Sequence, residues 1–146
     1  MVASAKVIFS GILGLLYCLF GMLQILSVIL PGLARLLAPA LIPVDIASGF
    51  ILCVIGAVFL FGAREMNTRT AGGEAFLYVG MLLSIAFAVI TLLDTVAQGV
   101  NAILFGDGNS TWSGTQMIVP MIYLAVLSLA GFMKWGRRFL RGIALT

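Results

Sequence analysis

The fold of this chain is decided by an uncharged stretch, residues 7–30, that reads VIFSGILGLLYCLFGMLQILSVIL. An α-helix needs about 20 predominantly apolar residues to cross the hydrocarbon core of a bilayer. Three further stretches of similar character follow at residues 44–63, 75–98 and 116–134. The sequence therefore predicts an all-α integral membrane protein with four transmembrane helices.

The composition excludes a soluble domain. The 146 residues are 62% hydrophobic and 9% charged, whereas soluble domains carry about 25% charged residues. The segments between the apolar stretches are too short to fold on their own, so residues 1–146 are expected to form a single transmembrane domain. The cations lie at the ends of the apolar stretches and form no patch with base-stacking aromatics. The lipid bilayer is therefore the expected partner, and nucleic acid is not.

The basic residues are divided unequally between the two sides of the predicted helices. Arg35 follows the first stretch, and the other seven lie before the first, between the second and third, or after the fourth: Lys6, Arg64, Arg69, Lys134, Arg137, Arg138 and Arg141. Lys and Arg are enriched in cytoplasmic loops. The sequence predicts cytoplasmic termini and an antiparallel, up-down bundle.

The first outer connection, residues 31–43, reads PGLARLLAPALIP and is unusually apolar. A solvated loop would be more polar. We interpret Leu33–Leu37 as a short helix that lies in the outer membrane interface or packs on a partner protein.

Small residues form stripes on the first two predicted helices. The spacings place the members of each stripe on one helix face, and small residues let membrane helices approach closely. We expect the stripes to pack together: Gly11, Gly14, Cys18 and Gly21 on the first helix, and Gly49, Cys53 and Gly56 on the second. The cysteines then serve as small packing residues. The alternative is a redox dithiol that exchanges electrons with a quinone, although reactive thiolates need a cationic or polar setting.

A polar cluster occupies the third predicted helix. Thr91, Asp94 and Gln98 are spaced by three and four residues, and Ser84 and Thr95 lie on the same side. An acid at the bilayer centre costs about 2.5–3.5 kcal/mol, so such residues usually face the bundle interior and are functional. The cost falls toward the interface, and Asp94 lies near the predicted end of its helix.

Two interpretations of Asp94 follow. In the first, Asp94 is interfacial, either hydrated or paired with Arg35. In the second, it faces inward toward Gln24 and Tyr123. The candidate ligand site then consists of five residues and binds a cation, a proton or a polar solute: Asp94, Gln24, Thr91, Gln98 and Tyr123.

No motif specifies a reaction. Histidine is absent, which removes the commonest metal ligand and near-neutral proton carrier. We therefore expect no catalytic, cofactor-binding or metal-binding residues, and no enzymatic activity. The preferred hypothesis is a non-catalytic subunit of a larger transport or energy-converting membrane complex, with a membrane-protein partner or a second copy of the chain. The alternatives are a small oligomeric carrier or channel that uses Asp94, and a thiol/quinone redox enzyme that uses Cys18 and Cys53.

Overall fold

The computed structural model describes most of the chain. It covers residues 2–30, 32, 35, 45–68, 72–105 and 119–143, with side chains described between residues 5 and 136. In these ranges four helices follow one another: α1 (Val2–Ile29), α2 (Ile46–Asn67), α3 (Gly73–Phe105) and α4 (Pro120–Ile143). The predicted all-helical class is therefore confirmed for the described residues.

Within the part of the chain that the structure describes, three segments are long and apolar enough to cross a membrane: Ala5–Ile29, Ile46–Asn67 and Gly73–Phe105. The part of α4 whose side chains are described, Pro120–Gly136, is also apolar. The start of the fourth predicted stretch, at residue 116, lies outside the described residues, as does the predicted interfacial helix Leu33–Leu37 apart from Arg35.

The predicted end of the third helix near residue 98 is wrong, because α3 continues to Phe105. A glycine inside a helix costs about 1 kcal/mol, and here Gly99 is buried. With 33 residues, α3 is about 50 Å long. It therefore exceeds the roughly 30 Å thickness of a bilayer core.

The start of α2 is fixed by Asp45. Its side chain accepts hydrogen bonds from the backbone N–H groups of Ala47 and Ser48, each at 3.1 Å. A capping carboxylate satisfies donors that have no partner within the helix, and it is attracted to the positive end of the helix dipole. The helical backbone of α2 therefore begins directly after Asp45.

Two pairs of helices pack side by side in opposite directions, α1 with α2 and α3 with α4. Along the α1–α2 contact Gly14 lies at Gly56 and Gly21 lies at Gly49, so rising numbers in one helix meet falling numbers in the other. The same reversal relates α3 to α4, where Ser84 bonds to Ser128 and Tyr78 to Trp135. α2 contacts α3 through Phe59, whose ring lies against Gly80.

Aromatic contacts join α1 to α4. The rings of Phe20 and Tyr123 meet edge to face, with centroids 5.7 Å apart, and those of Phe9 and Trp135 do so at 5.0 Å. The hydrophobic core consists of buried side chains from all four helices: Leu13, Tyr17, Leu52, Ile55, Phe59, Leu77, Tyr78, Met81, Met121 and Leu124.

The outward faces are as apolar as the core. Ile8, Leu15 and Phe50 are each at least 60% exposed, and many other large apolar side chains are exposed on the same helices. Helices that are apolar all round belong in a membrane or in the core of a large protein. Apolar burial alone therefore does not decide which faces pack together, since lipid tails are as apolar as leucine.

Buried hydroxyl groups join three helices at the level of the core. The Tyr17 hydroxyl of α1 is hydrogen-bonded to Ser84 Oγ of α3, and Ser84 Oγ donates to Ser128 Oγ of α4 at 3.1 Å. These three residues are fully buried. Because a buried polar group without a partner is costly, these hydrogen bonds favour one mutual arrangement of α1, α3 and α4.

We expect Tyr17→Phe to lower the free energy of unfolding by about 1 kcal/mol, because it removes the α1–α3 hydrogen bond but keeps the ring. Reversible unfolding in mixed detergent micelles would measure this. Tyr123→Phe is the matched control, since it also removes a hydroxyl but leaves the Tyr17–Ser84 bond intact. Equal stabilities of the two variants would contradict the role assigned to Tyr17.

Candidate functional site

Glycines on both helices bring the backbones of α1 and α2 into close contact. A Cβ atom added at Gly56 would lie 2.6 Å from Cys18 Sγ and 2.9 Å from the carbonyl oxygen of Gly14. A Cβ atom added at Gly21 would lie 2.6 Å from the carbonyl oxygen of Gly49 and 2.7 Å from Cys53 Sγ. Only glycine therefore fits at these positions without displacing a neighbouring backbone.

The two halves of this contact share one sequence pattern. Residues 14–21 read GLLYCLFG and residues 49–56 read GFILCVIG, so each presents glycine, cysteine and glycine at the same spacings. In the antiparallel pair the cysteine of each segment lies over the last glycine of the other. The contact is therefore nearly self-complementary. Sequence analysis identified the two stripes by these matched spacings.

The two thiols interact with backbone carbonyl groups across the contact. Cys18 Sγ lies 3.9 Å from the carbonyl oxygen of Cys53, and Cys53 Sγ lies 4.0 Å from that of Cys18. Each thiol is thus a weak donor to the opposite helix. Among the described residues, no group of three or more His, Cys, Asp or Glu side chains could hold a metal ion.

Gly11 lies at the edge of the contact. A Cβ atom added there would have Ala63 Cβ as its nearest neighbour, at 4.0 Å. That distance is an ordinary van der Waals contact, so this end of the stripe has room for a methyl group.

Asp94 and Gln98 lie together on the exposed surface of α3. The Asp94 carboxylate accepts a hydrogen bond from Gln98 Nε2 at 2.9 Å. Gln24, by contrast, is 1% exposed, and its Oε1 has no hydrogen-bond partner among the described residues. The structure therefore does not bring Asp94 and Gln24 into one site.

Thr91 and Tyr123 take part in helix contacts. Thr91 Oγ1 donates to the carbonyl oxygen of Phe87 at 2.9 Å and lies 3.0 Å from Met121 Sδ. The ring of Tyr123 packs on Phe20. Of the five candidate ligand residues, two are thus surface neighbours, two pack between helices, and Gln24 is buried without a partner for its oxygen.

Asp94 lies where the neighbouring helix begins. α4 begins at Pro120, next to the Met121 that contacts Thr91. Asp94 is three residues further along α3, about 4.5 Å along the helix axis. α3 itself continues to Phe105. The carboxylate is therefore well inside its own helix, but it lies beyond the start of the helix packed beside it.

Among the polar contacts between helices that sequence analysis missed, two join α1 to α3. One is the Tyr17–Ser84–Ser128 chain, for which a serine or tyrosine on an otherwise apolar helix face is the signal. The other is the ion pair between Lys6 Nζ of α1 and Glu74 Oε1 of α3, at 2.8 Å. The Lys6 side chain is only 12% exposed. It therefore packs against the end of the bundle, in addition to being one of the basic residues from which the topology is predicted.

Gly56→Ala should destabilise the protein by about 1–3 kcal/mol, because the added methyl group overpacks the Cys18 and Gly14 backbone contact. Gly11→Ala is the matched control and should change stability little, since its nearest neighbour is 4.0 Å away. Unfolding in mixed micelles would compare the two variants. If Gly56→Ala were as stable as Gly11→Ala, the close α1–α2 approach would be refuted.

Comparison with known families identifies one match. A family model described as "MJ0565 integral membrane domain" matches residues 2–137. No curated protein and no solved structure matches the chain. The match agrees with the three apolar helices, and it confirms the prediction of a multi-pass integral membrane protein.

Proposed function

Because the chain belongs to the MJ0565 integral membrane domain family, we propose a role within the bilayer, as a non-catalytic subunit of a larger transport or energy-converting complex. The observation that carries this proposal is the position of Asp94. The one acidic side chain within the apolar part of α3 lies on the outside of the helix bundle, while apolar side chains fill the inside.

The filled interior supports a subunit over a carrier. Tyr17, Leu52, Ile55 and Phe59 have no exposed surface, and the rings of Tyr17 and Phe59 stack with centroids 5.7 Å apart. These side chains occupy the space between α1 and α2 on one side and α3 on the other. A carrier would have to move them to open a polar path along the bundle axis.

The surroundings of Asp94 favour contact with another protein. Ile90, four residues earlier on the same face of α3, is 59% exposed, and the adjacent Leu93 is 64% exposed. A carboxylate among apolar side chains is costly against lipid tails. A partner that supplies a hydrogen-bond donor or a cation to Asp94, and apolar contacts around it, would remove that cost.

One observation favours the carrier as a second candidate. The side chain of Gln24 is almost fully buried, yet its Oε1 lacks a partner among the described residues. Native proteins rarely leave a buried polar atom unsatisfied. A polar solute or water held there would satisfy it.

The thiol pair fits the subunit proposal as a packing element. Each sulfur lies over a glycine of the opposite helix, and this arrangement uses cysteine as a small side chain. A redox enzyme would require a cationic or polar setting that lowers a thiol pKa.

We further propose that α1 to α4 cross the membrane in turn as an up-down bundle, with both termini in the cytoplasm. The packing of α4 along α3, from Met121 to Trp135, supports the fourth crossing. Reporter fusions at the two termini should both report the cytoplasm, because seven of the eight basic residues would then lie there. A signal from the opposite side at either end would overturn the arrangement.

Purification in a mild detergent, followed by mass spectrometry, should recover a second membrane protein in a fixed ratio. Asp94→Asn should reduce this recovery several-fold while leaving the stability of the isolated chain nearly unchanged, since an exposed charge contributes only about 0–1 kcal/mol. Asp45→Asn is the matched control, because it also removes an acidic charge while asparagine still caps α2.

The carrier gives the opposite outcome in the same preparations. The chain would be recovered alone or with copies of itself, and vesicles containing it would show cation, proton or solute flux. Asp94→Asn or Gln24→Leu would abolish that flux. Such a result would overturn the subunit proposal.

A further inference from the structure

The C-terminal end of α4 differs from every other helix end that the structure describes. α4 continues as one helix to Ile143. Residues 134–143 read KWGRRFLRGI and contain four cations and no acid. The last turns of this helix are therefore strongly basic, although they continue a helix that packs in the bundle.

Helical spacing divides this segment into two faces. The four basic residues are separated by three, one and three positions and so share one face: Lys134, Arg137, Arg138 and Arg141. Four large apolar residues are separated by three, four and four positions and fall on the opposite face, with Met133 and Leu140 on the flank between the two faces: Phe132, Trp135, Phe139 and Ile143. A helix with one basic and one aromatic-rich face is typical of segments that lie at a membrane interface.

The start of the basic segment is held in place by the bundle. The Trp135 ring meets the Phe9 ring of α1 edge to face at 5.0 Å, and the Trp135 carbonyl oxygen accepts a hydrogen bond from the Tyr78 hydroxyl of α3 at 3.2 Å. Lys134 is exposed, with its Nζ 5.4 Å from the centre of the Trp135 ring. These contacts fix where α4 leaves the bundle.

That point lies at the level where α1 and α3 meet in an ion pair. Tyr78 is four residues after Glu74, whose carboxylate bonds to Lys6. The carboxylate of Glu74 is thus already engaged, and the basic face of α4 continues past it. Indole and tyrosine side chains at this level are typical of the headgroup region of a bilayer.

We propose that the basic face of residues 134–143 binds the phosphate groups of anionic phospholipids in the adjacent leaflet. Arginine pairs with phosphate through two parallel hydrogen bonds. On the opposite face Phe132 and Trp135 pack on the core of the bundle, so the basic face would be directed away from the bundle, toward the headgroups. A single-stranded nucleic acid is a poorer fit, because its binding sites use aromatic side chains that stack on the bases, and the Trp135 ring here packs on Phe9.

Lipid titration tests the proposal. Purified full-length protein in a neutral detergent would be titrated with phosphatidylglycerol or with phosphatidylcholine, and binding would be followed by native mass spectrometry and by thermal stability. We expect phosphatidylglycerol to bind at least about tenfold more tightly, with a preference that falls as ionic strength rises. Equal binding of the two lipids would overturn the proposal.

Three variants locate the site. Replacing Arg137, Arg138 and Arg141 together by glutamine should abolish the preference, whereas replacing the same three by lysine should retain most of it. Arg35→Gln, at the other end of the bundle, should leave it unchanged. If the glutamine variant does not fold, single Arg→Gln changes should each weaken the preference by a factor of a few, and three single variants with unaltered preference would refute it.

Two further arms separate the lipid from other anions. Glycerol phosphate, which carries the phosphate but no acyl chains, should compete at least about a hundredfold more weakly than phosphatidylglycerol. If it competed equally, the site would be a phosphate site and the lipid proposal would be wrong. A co-purified acidic protein that is released by the glutamine variant would likewise overturn it. None of these outcomes depends on whether Asp94 contacts a partner subunit.

Discussion

The structure depends on the close approach of α1 and α2, which glycine makes possible. At Gly14, Gly21, Gly49 and Gly56 a side-chain carbon would lie 3.0 Å or less from atoms of the opposite helix. In a bilayer, dispersion contacts of this kind take the place of the hydrophobic effect, which does not distinguish a helix face packed on protein from one packed on lipid. The other helices are then placed by larger side chains: Phe59 from α2 lies against Gly80 of α3, and Phe9 from α1 lies against Gly131 of α4.

The polar groups have different roles at different depths. In the middle of the bundle, the Tyr17–Ser84–Ser128 chain satisfies hydroxyl groups that would be costly to bury alone. At the basic end, Lys6 and Glu74 join α1 to α3. At the other end, Asp94 and Gln98 bond to each other on the outer surface, while Gln24 is buried and its Oε1 has no hydrogen-bond partner within the described ranges. The first two sets of polar groups stabilise the fold. The third set lies where we propose an interaction with another molecule.

The amphipathic end of α4 and the exposed carboxylate of α3 mark opposite ends of the same helix pair. α4 begins beside Thr91 and carries its basic residues past Tyr78. If the Asp94 end binds a partner protein and the basic end of α4 binds lipid headgroups, α3 and α4 together would hold the subunit at a fixed depth while its filled core stays rigid. The long apolar α3 would then contribute its exposed face to assembly.

The sequence by itself determined the helical class, the apolar segments and the small-residue stripes, because helix length and residue spacing are local properties of the chain. It located Asp45 at the start of α2 for the same reason. It could not determine that α3 runs past Gly99 to Phe105, because a glycine shortens a helix only when packing does not favour its continuation. Nor could it place Asp94 outside and Gln24 inside. Both lie on helices that are apolar on every face, so the sequence pattern does not show which face points into the bundle. The glycine contact between α1 and α2 and the hydrogen-bonded hydroxyl groups set the rotation of the helices. That rotation decided whether each side chain points inward or outward.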